Sequence, residues 1–251
     1  MRLGHNHAMS RSRIERPKPF IEGLVPTLNR RGFMSERMDY YSCRFADYAG
    51  AVNGEVLDMG CAYGVATRAA LEAGARVLAC DMDSGHLEIL EYETPVHLRA
   101  RLRTAVGVLP EVEFPDASFD AILCSRVIHF LLATEIRTSL DKMYRWLAPG
   151  GRLFLIADSP YTGFWFKIAP EYERRKAAGE EWPCLIEDIT ALMETDDLPE
   201  GMLAYLNPLD PDILRRECAR AGFIVEEAAF TGRDGSREGR NHAGAIALKP
   251  G

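Results

Sequence analysis

Two acids and one run of small residues carry the chemistry available to this sequence. Asp58-Met59-Gly60-Cys61-Ala62-Tyr63-Gly64 follows a short apolar run, and Val65–Ala73 beyond it can be helical. A strand, a tight turn and a helix N-terminus in that order let backbone N–H groups approach a ligand without bulky side chains between. Asp81 follows 23 positions after Asp58, at the end of a second apolar run, Arg76–Cys80. A carboxylate there can accept two hydrogen bonds from the vicinal diol of a ribose. Its other role is to cap the next helix, but Asp83 fits that role better and leaves Asp81 free. Ser125-Arg126-Val127-Ile128-His129-Phe130 closes another apolar run. His129 is the best candidate for taking a proton near neutral pH. Asp158 and Tyr161 are the alternatives, and a site with no dedicated base is the third reading. Arg126 either holds an acidic ligand or caps a helix.

The elements that must position these residues alternate. Strands are expected at Glu55–Met59, Arg76–Cys80, Arg103–Val106, Asp120–Ser125 and Arg152–Ala157, with helices at Val65–Ala73, Ser84–Tyr92 and Thr134–Leu147. Such alternation predicts a parallel sheet wound on both faces. Ligands bind these sheets at the carboxyl ends of the strands, where the winding reverses, here between the first and fourth strands. Ahead of the first strand, Met38, Tyr41, Phe45 and Tyr48 repeat at helical spacing, predicting a helix over Ser35–Ala49 with Ser35 as its N-cap. Behind the fifth strand, residues 160–208 gather Tyr161, Phe164, Trp165, Phe166, Tyr172, Trp182 and Tyr205, with helical pieces at Pro170–Ala178 and Ile186–Met193. A helix over Pro211–Ala221, stopped by Gly222, and strands at Phe223–Phe230 and His242–Leu248 end the chain.

The Asp58-x-Gly60-x-Ala62-x-Gly64 spacing resembles motif I of the class I S-adenosylmethionine-dependent methyltransferases, with Ala62 where that family usually has Gly. The ending Asp116-Ala117-Ser118-Phe119-Asp120 resembles the family's adenine-side loop, and Leu147-Ala148-Pro149-Gly150-Gly151-Arg152-Leu153 resembles another of its hallmarks. The resemblance covers residues 50–160 closely and 207–248 loosely. A nicotinamide-binding turn fits poorly, since Gly-x-Gly-x-x-Gly counted from Gly60 falls on Ala62 and Val65.

The resemblance implies an α/β fold: a doubly wound, mostly parallel seven-stranded sheet, helices on both faces, a C-terminal antiparallel hairpin strand and a helical insertion after the fifth strand. It divides the chain into an N-terminal arm (1–34, partly flexible), a binding core (35–159), an aromatic-rich lid over the acceptor (160–208) and a closing helix and strands (209–251). The implied cofactor is S-adenosyl-L-methionine, leaving as S-adenosyl-L-homocysteine. Its implied contacts are Asp58, Gly60, Cys61, Ala62, Gly64, Asp81, Met82, Val108, Leu109, Ser125 and Tyr41. Where the family often carries Gly-Asp, this chain has Gly107-Val108, so adenine recognition falls to backbone near Leu109 or to Glu111. The implied reaction is an in-line methyl transfer to an acceptor, with His129 or Tyr161 as the catalytic candidates. A non-catalytic S-adenosylmethionine-binding protein is the alternative, ahead of a nicotinamide-dependent oxidoreductase.

Composition narrows the partners. The chain has 251 residues, 47% hydrophobic and 27% charged, enough for one good-sized α/β core. A net charge of −7 opposes nucleic acid, whose phosphates need basic surface, and favours a small-molecule acceptor. No apolar run approaches the roughly 20 residues of a membrane span. Six scattered cysteines with no Cys-x-x-Cys pair predict free thiols in a reducing cytoplasm and no metal site. Residues 1–19 are Arg-rich without an apolar stretch, which is not the pattern of a secretory signal. His5 and His7 in that arm are read as solvated.

Overall fold

Apolar runs that end in turn residues become strands, and the periodic segments between them become helices. The computed structural model describes residues 14–193, 203–232 and 238–251. His5 and His7 lie outside the described residues, as does 194–202 of the aromatic segment. The chain begins with β1 (Leu24–Pro26) and β2 (Phe33–Ser35), an antiparallel hairpin that the sequence pattern does not announce. Helix α1 (Tyr40–Ala51) therefore starts later than Ser35, which is spent in β2. Asp39 caps α1 by accepting from the Ser42 N–H at 2.9 Å.

The core follows as β3 (Glu55–Met59), α2 (Val65–Glu72), β4 (Arg76–Asp81), α3 (Ser84–Glu93), β5 (Leu102–Val106), β6 (Phe119–Ser125), α4 (Ala133–Trp146) and β7 (Leu147–Asp158). Asp83 caps α3, accepting from Gly85 N–H at 2.9 Å, as the sequence predicts. After β7 come α5 (Ala169–Ala177), the short α6 (Thr190–Met193), α7 (Pro211–Arg220), β8 (Ile224–Thr231) and β9 (His242–Leu248). The expected helix Ile186–Met193 shrinks to α6 because Ile186 instead forms an antiparallel bridge with Leu206.

One seven-stranded sheet runs β5-β4-β3-β6-β7-β9-β8. The first five are parallel neighbours, and β9 enters antiparallel between β7 and β8. The winding reverses between β3 and β6, so their carboxyl ends share one crevice. The middles of the central strands are largely apolar because both faces are covered, and their acids stand toward the ends. On one face Ile136, Leu140, Met143 and Trp146 of α4 meet Ile213, Leu214 and Cys218 of α7. On the other, Phe45 and Ala49 of α1 pack with Ala70 and Leu71 of α2. No helix among the described residues is long and apolar enough to cross a membrane.

Candidate active site

The Gly60–Gly64 loop turns sharply enough that Gly60, Ala62 and Gly64 all take positive φ, at 78°, 45° and 74°. The N–H groups of Gly60 and Cys61 both donate to the Cys80 carbonyl, at 2.8 and 3.0 Å, which clasps the loop to β4. A Cβ on Gly60 would stand 2.2 Å from Val127 Cγ2, and one on Gly64 2.2 Å from Leu90 Cδ1. Both glycines are thus required by backbone conformation and by close packing. Ala62 adopts the same region at a cost of about 1–2 kcal/mol. Gly64 begins α2 without any side-chain cap, leaving N–H groups of the first helical turn facing the crevice.

Asp58 is buried at the end of β3 and accepts a hydrogen bond from the Thr67 hydroxyl at 2.6 Å. Burial, reinforced by the nearby Asp81 charge, pushes its carboxyl up to about 6. Asp81 sits at the tip of β4, also buried. It accepts from Ala62 N–H at 2.8 Å, Asp83 N–H at 3.0 Å and His86 Nδ1–H at 2.9 Å. Those bonds leave roughly one of the carboxylate's about four acceptor positions open, so a ribose diol meets one free position rather than two. Among the described residues neither acid is paired with Lys or Arg. The thiols of Cys61, Cys80 and Cys124 beneath the site are free, and burial pushes all of them up, Cys80 to about 12.

Met82 and Val108 flank this side at the surface, each 39% exposed, whereas the Leu109 side chain is buried and offers only its backbone. The loop is fixed by Lys142 of α4, whose Nζ donates to the carbonyls of Pro110, Glu111 and Val112 at 2.5, 3.4 and 3.2 Å.

Across the reversal point, β6 ends at Ser125 and the chain turns at Arg126, with φ 57°. The Arg126 guanidinium lies 3.5 Å from the buried carboxylate of Asp39, the N-cap of α1. His129 is buried, and its Nδ1 accepts from the Asp158 N–H at 3.1 Å. Burial pushes its imidazole down to about 4, against the attraction of Asp158. Asp158 is held below the usual carboxylate range: burial opposes ionisation, but the imidazoles of His129 and His242 and the Arg126 guanidinium outweigh it. The returning segment is stitched to the same residues, with Asn207 N–H on the His129 carbonyl at 2.9 Å and Leu209 N–H on the Asp158 carbonyl at 2.8 Å.

Not every candidate reaches the crevice. The Tyr161 hydroxyl donates to Glu173 and accepts from Arg240, whose guanidinium stacks 3.7 Å from the ring centroid. Burial and Glu173 push that phenol up to about 12, which opposes a role as base. Tyr41 requires correction as a cofactor contact. Its ring is buried over Gly244 on β9, three strands from β3, and its hydroxyl donates to the Ala229 carbonyl on β8 at 3.3 Å. Helical spacing places Tyr41 on the sheet-facing side of α1 but does not say which strand it meets. The aromatic segment divides likewise. Tyr172 is buried with its hydroxyl on Asp210 at 2.7 Å, and Trp182 lies under Arg137 and Arg216, 5.6 and 5.1 Å from its ring. Phe130, Ile168, Ile186, Ile189 and Leu206 form a separate apolar cluster beside His129.

Four residues of the site escape sequence reading: Asp39, Thr67, His86 and Val127. For His86 a signal exists, since it falls five residues after Asp81 on the first turn of the helix that Asp83 caps. Among the described residues no group of His, Cys, Asp and Glu is placed to hold a metal ion.

Strand order, the glycine loop and the acids at two adjacent strand tips define a nucleoside-binding, doubly wound α/β protein. A family model described as a methyltransferase domain matches residues 57–155. Over 107 residues the chain is 36% identical to the cypemycin N-terminal methyltransferase of Streptomyces sp., covering 42% of each protein. It is 30% identical over 125 residues to the demethylmenaquinone methyltransferase of Paenarthrobacter aurescens, covering 49% of this chain and 47% of that protein. These matches span about half the length of each curated relative. The glycopeptide N-methyltransferase MtfA complexed with S-adenosyl-L-methionine superposes over 92% of this chain and 100% of its own, with a TM-score of 0.58 at 19% identity, which speaks for the fold. Over residues 57–155 the chain is thus similar to the methyltransferase-domain family, and its overall fold is that of S-adenosylmethionine-dependent methyltransferases.

Proposed function

We propose that the protein is a methyltransferase that binds S-adenosyl-L-methionine across the β3–β4 tips and methylates a small-molecule acceptor held beside β6 and β7. The observation that carries this reading is the pair of buried acids, Asp58 and Asp81, with no Lys or Arg paired to them among the described residues. A buried acidic site of this kind favours a cationic ligand, whose charge would stabilise the ionised form of Asp58. The donor, when bound, supplies a methyl on a sulfonium whose leaving group is a neutral thioether. The chain's own residues hold it: Gly60 and Gly64 keep side chains out of the backbone's way, and Asp81 offers its open lone pair to the ribose. Val108 and the Leu109 backbone border the adenine side.

Positioning is then the protein's main contribution, worth roughly 7–11 kcal/mol when both reactants are held in line. Neither catalytic candidate is free as a base: the His129 Nδ1 lone pair is committed to Asp158 N–H, and the Tyr161 hydroxyl to Glu173 and Arg240. His129 serves here to shape the acceptor side, and the acceptor arrives as a nucleophile that needs no strong base. Residues 160–208 are proposed as the lid on that side, supported by the apolar cluster of Phe130, Ile168, Ile186, Ile189 and Leu206. The names of the relatives, a demethylmenaquinone and a cypemycin N-terminal methyltransferase, favour quinol-like or amine acceptors over nucleic acid.

Calorimetric titration is the first test. S-adenosylmethionine and S-adenosylhomocysteine bind and NAD does not; the reverse pattern sinks the reading. Asp81→Asn weakens S-adenosylhomocysteine by about 1–3 kcal/mol, because an amide nitrogen cannot accept where the carboxylate does. The absence of a free base also fits a second reading, a non-catalytic S-adenosylmethionine-binding protein. Labelled donor incubated with phenolic, quinol and amine acceptors separates the two, since intact binding with no label transferred to any acceptor favours the second.

A further inference from the structure

The imidazole of His86 is buried and bonded on both sides. Its Nδ1 lies 2.9 Å from Asp81 Oδ1, and its Nε2 accepts from the Leu28 N–H at 2.9 Å. Accepting at Nε2 requires a lone pair there, so the ring is neutral with its proton on Nδ1, directed at Asp81. Leu28 belongs to the turn between β1 and β2. The hairpin is anchored a second time by Tyr63, the residue between Ala62 and Gly64, whose hydroxyl donates to the Pro26 carbonyl at 2.7 Å. Tyr63 also meets the His86 ring edge-on at 4.9 Å, and Val25, Tyr63 and Ile89 form a small buried cluster with Leu28 and Met34. At the far end of the turn, Phe130 Cζ comes within 3.4 Å of where a Cβ on Gly32 would stand, and the Arg31 charge acts on Tyr205. Residues 25–32 therefore reach from α3 and the glycine loop to the β6 side of the crevice.

We propose that the β1–β2 hairpin is a strap across the donor site, and that His86 is the positioning residue that ties its docking to the orientation of Asp81. This rests on the reading of Asp81 as a donor-site acid. One rigid, neutral ring links a backbone N–H of the strap to the carboxylate, so lifting the strap removes a constraint on Asp81, and a ligand that fixes Asp81 favours the docked strap. The coupling is reciprocal: the factor by which donor binding stabilises docking is the factor by which undocking weakens the donor.

Two substitutions divide the ring's functions. In His86→Asn the amide stands where Nδ1 does, keeping the bond to Asp81 and losing Leu28. In His86→Gln the amide reaches the Nε2 position, keeping Leu28 and losing Asp81. Calorimetry with S-adenosylhomocysteine is paired with hydrogen exchange of the whole chain, with and without that ligand. In the wild type, ligand slows exchange over residues 24–35. Each variant binds on the order of tenfold more weakly. At saturating ligand each loses the slowing over 24–35 while residues 60–64 remain protected, a pattern that general loosening of the fold would not produce. Wild-type binding with unchanged exchange over 24–35 overturns the strap, and wild-type affinity in both variants overturns the role of His86. A wild type that does not bind S-adenosylhomocysteine overturns the donor-site reading itself, and the strap with it.

Discussion

On the β3–β4 side of the crevice, the buried acids Asp58 and Asp81 face a hydroxyl, a neutral imidazole and backbone N–H groups. On the β6–β7 side, the buried Asp39 carboxylate lies 3.5 Å from Arg126 and the Asp158 carboxylate 3.2 Å from His242 Nδ1. Both sides bury carboxylates, but among the described residues only the second sets an arginine, Arg126, beside them. Leaving a charge buried and unpaired is costly, so the first side is built for something that arrives carrying positive charge. The second side holds its own counter-charge, and its contribution to the proposed reaction is shape and exclusion of water. Each side also turns through one non-glycine residue at positive φ, Ala62 in the loop after β3 and Arg126 after β6.

The comparison breaks most forcefully at Gly60, where the two sides touch. Gly60→Ala puts a methyl 2.2 Å from Val127 Cγ2 at a φ of 78°. Loss of more than about 3 kcal/mol of stability is expected, together with loss of S-adenosylhomocysteine binding. Adding Val127→Ala relieves the clash and leaves the conformational cost of about 1–2 kcal/mol. Urea denaturation of the three proteins measures both parts; a double variant no more stable than the single one would show that contact between the sides is not the cause.

The two sides titrate with opposite sign. Asp58 is raised from 3.8 to about 6, so the folded protein binds its proton more tightly than the unfolded chain. Its contribution is present below pH 3.8 and lost as pH rises through about 6, leaving a penalty on the order of 3 kcal/mol at neutral pH. Asp58→Asn is therefore expected to stabilise the ligand-free protein at pH 7.5 and, by removing the carboxylate, to weaken S-adenosylmethionine at least tenfold. Wild-type affinity for S-adenosylmethionine should fall as pH drops below about 6, where Asp58 keeps its proton. Equal affinity at pH 5 and pH 7.5 would remove Asp58 from the donor site.

His129 runs the other way. Its imidazole falls from 6.5 to about 4, so its contribution is present above pH 6.5 and lost as pH falls through 4. His129→Asn retains an acceptor for the Asp158 N–H without a titrating ring. Denaturation midpoints followed from pH 7 to pH 4 should decline less steeply in the variant, by about 2–3 kcal/mol in stability over that range. Parallel declines would mean that burial of His129 is not what makes the acceptor side acid-sensitive.

Much of this contrast is legible in the sequence on one side only. The donor loop is local: Asp58 to Gly64 are contiguous, Asp81 is one helix and one strand away, and backbone constraints on glycine are visible in residue type. The Asp83 cap and the strand at His242–Leu248 are equally local and stand where the sequence puts them. The acceptor side depends on long-range pairs, Asp39 with Arg126 and His129 with Asp158, which no spacing rule encodes. The β1–β2 hairpin escapes notice for another reason: strands of three residues are too short to display alternation. Ser35 is the cap that the sequence suggests, but pairing in β2 takes it and Asp39 caps α1 instead. The helical period found Tyr41 but not the strand that it faces.

The mildest test concerns Ala62, the residue that departs from the family's usual glycine. Its φ of 45° costs about 1–2 kcal/mol in the left-handed region, and glycine would remove that cost while adding about 0.5–1 kcal/mol of chain entropy to the unfolded state. Ala62→Gly is therefore expected to stabilise the protein by roughly 0.5–1 kcal/mol. Its N–H still donates to Asp81, so S-adenosylhomocysteine affinity should change by less than about threefold. A larger gain in affinity would mean that the Ala62 methyl narrows the donor site, and that the chain trades grip on the donor for a loop pinned to Asp81 before the ligand arrives.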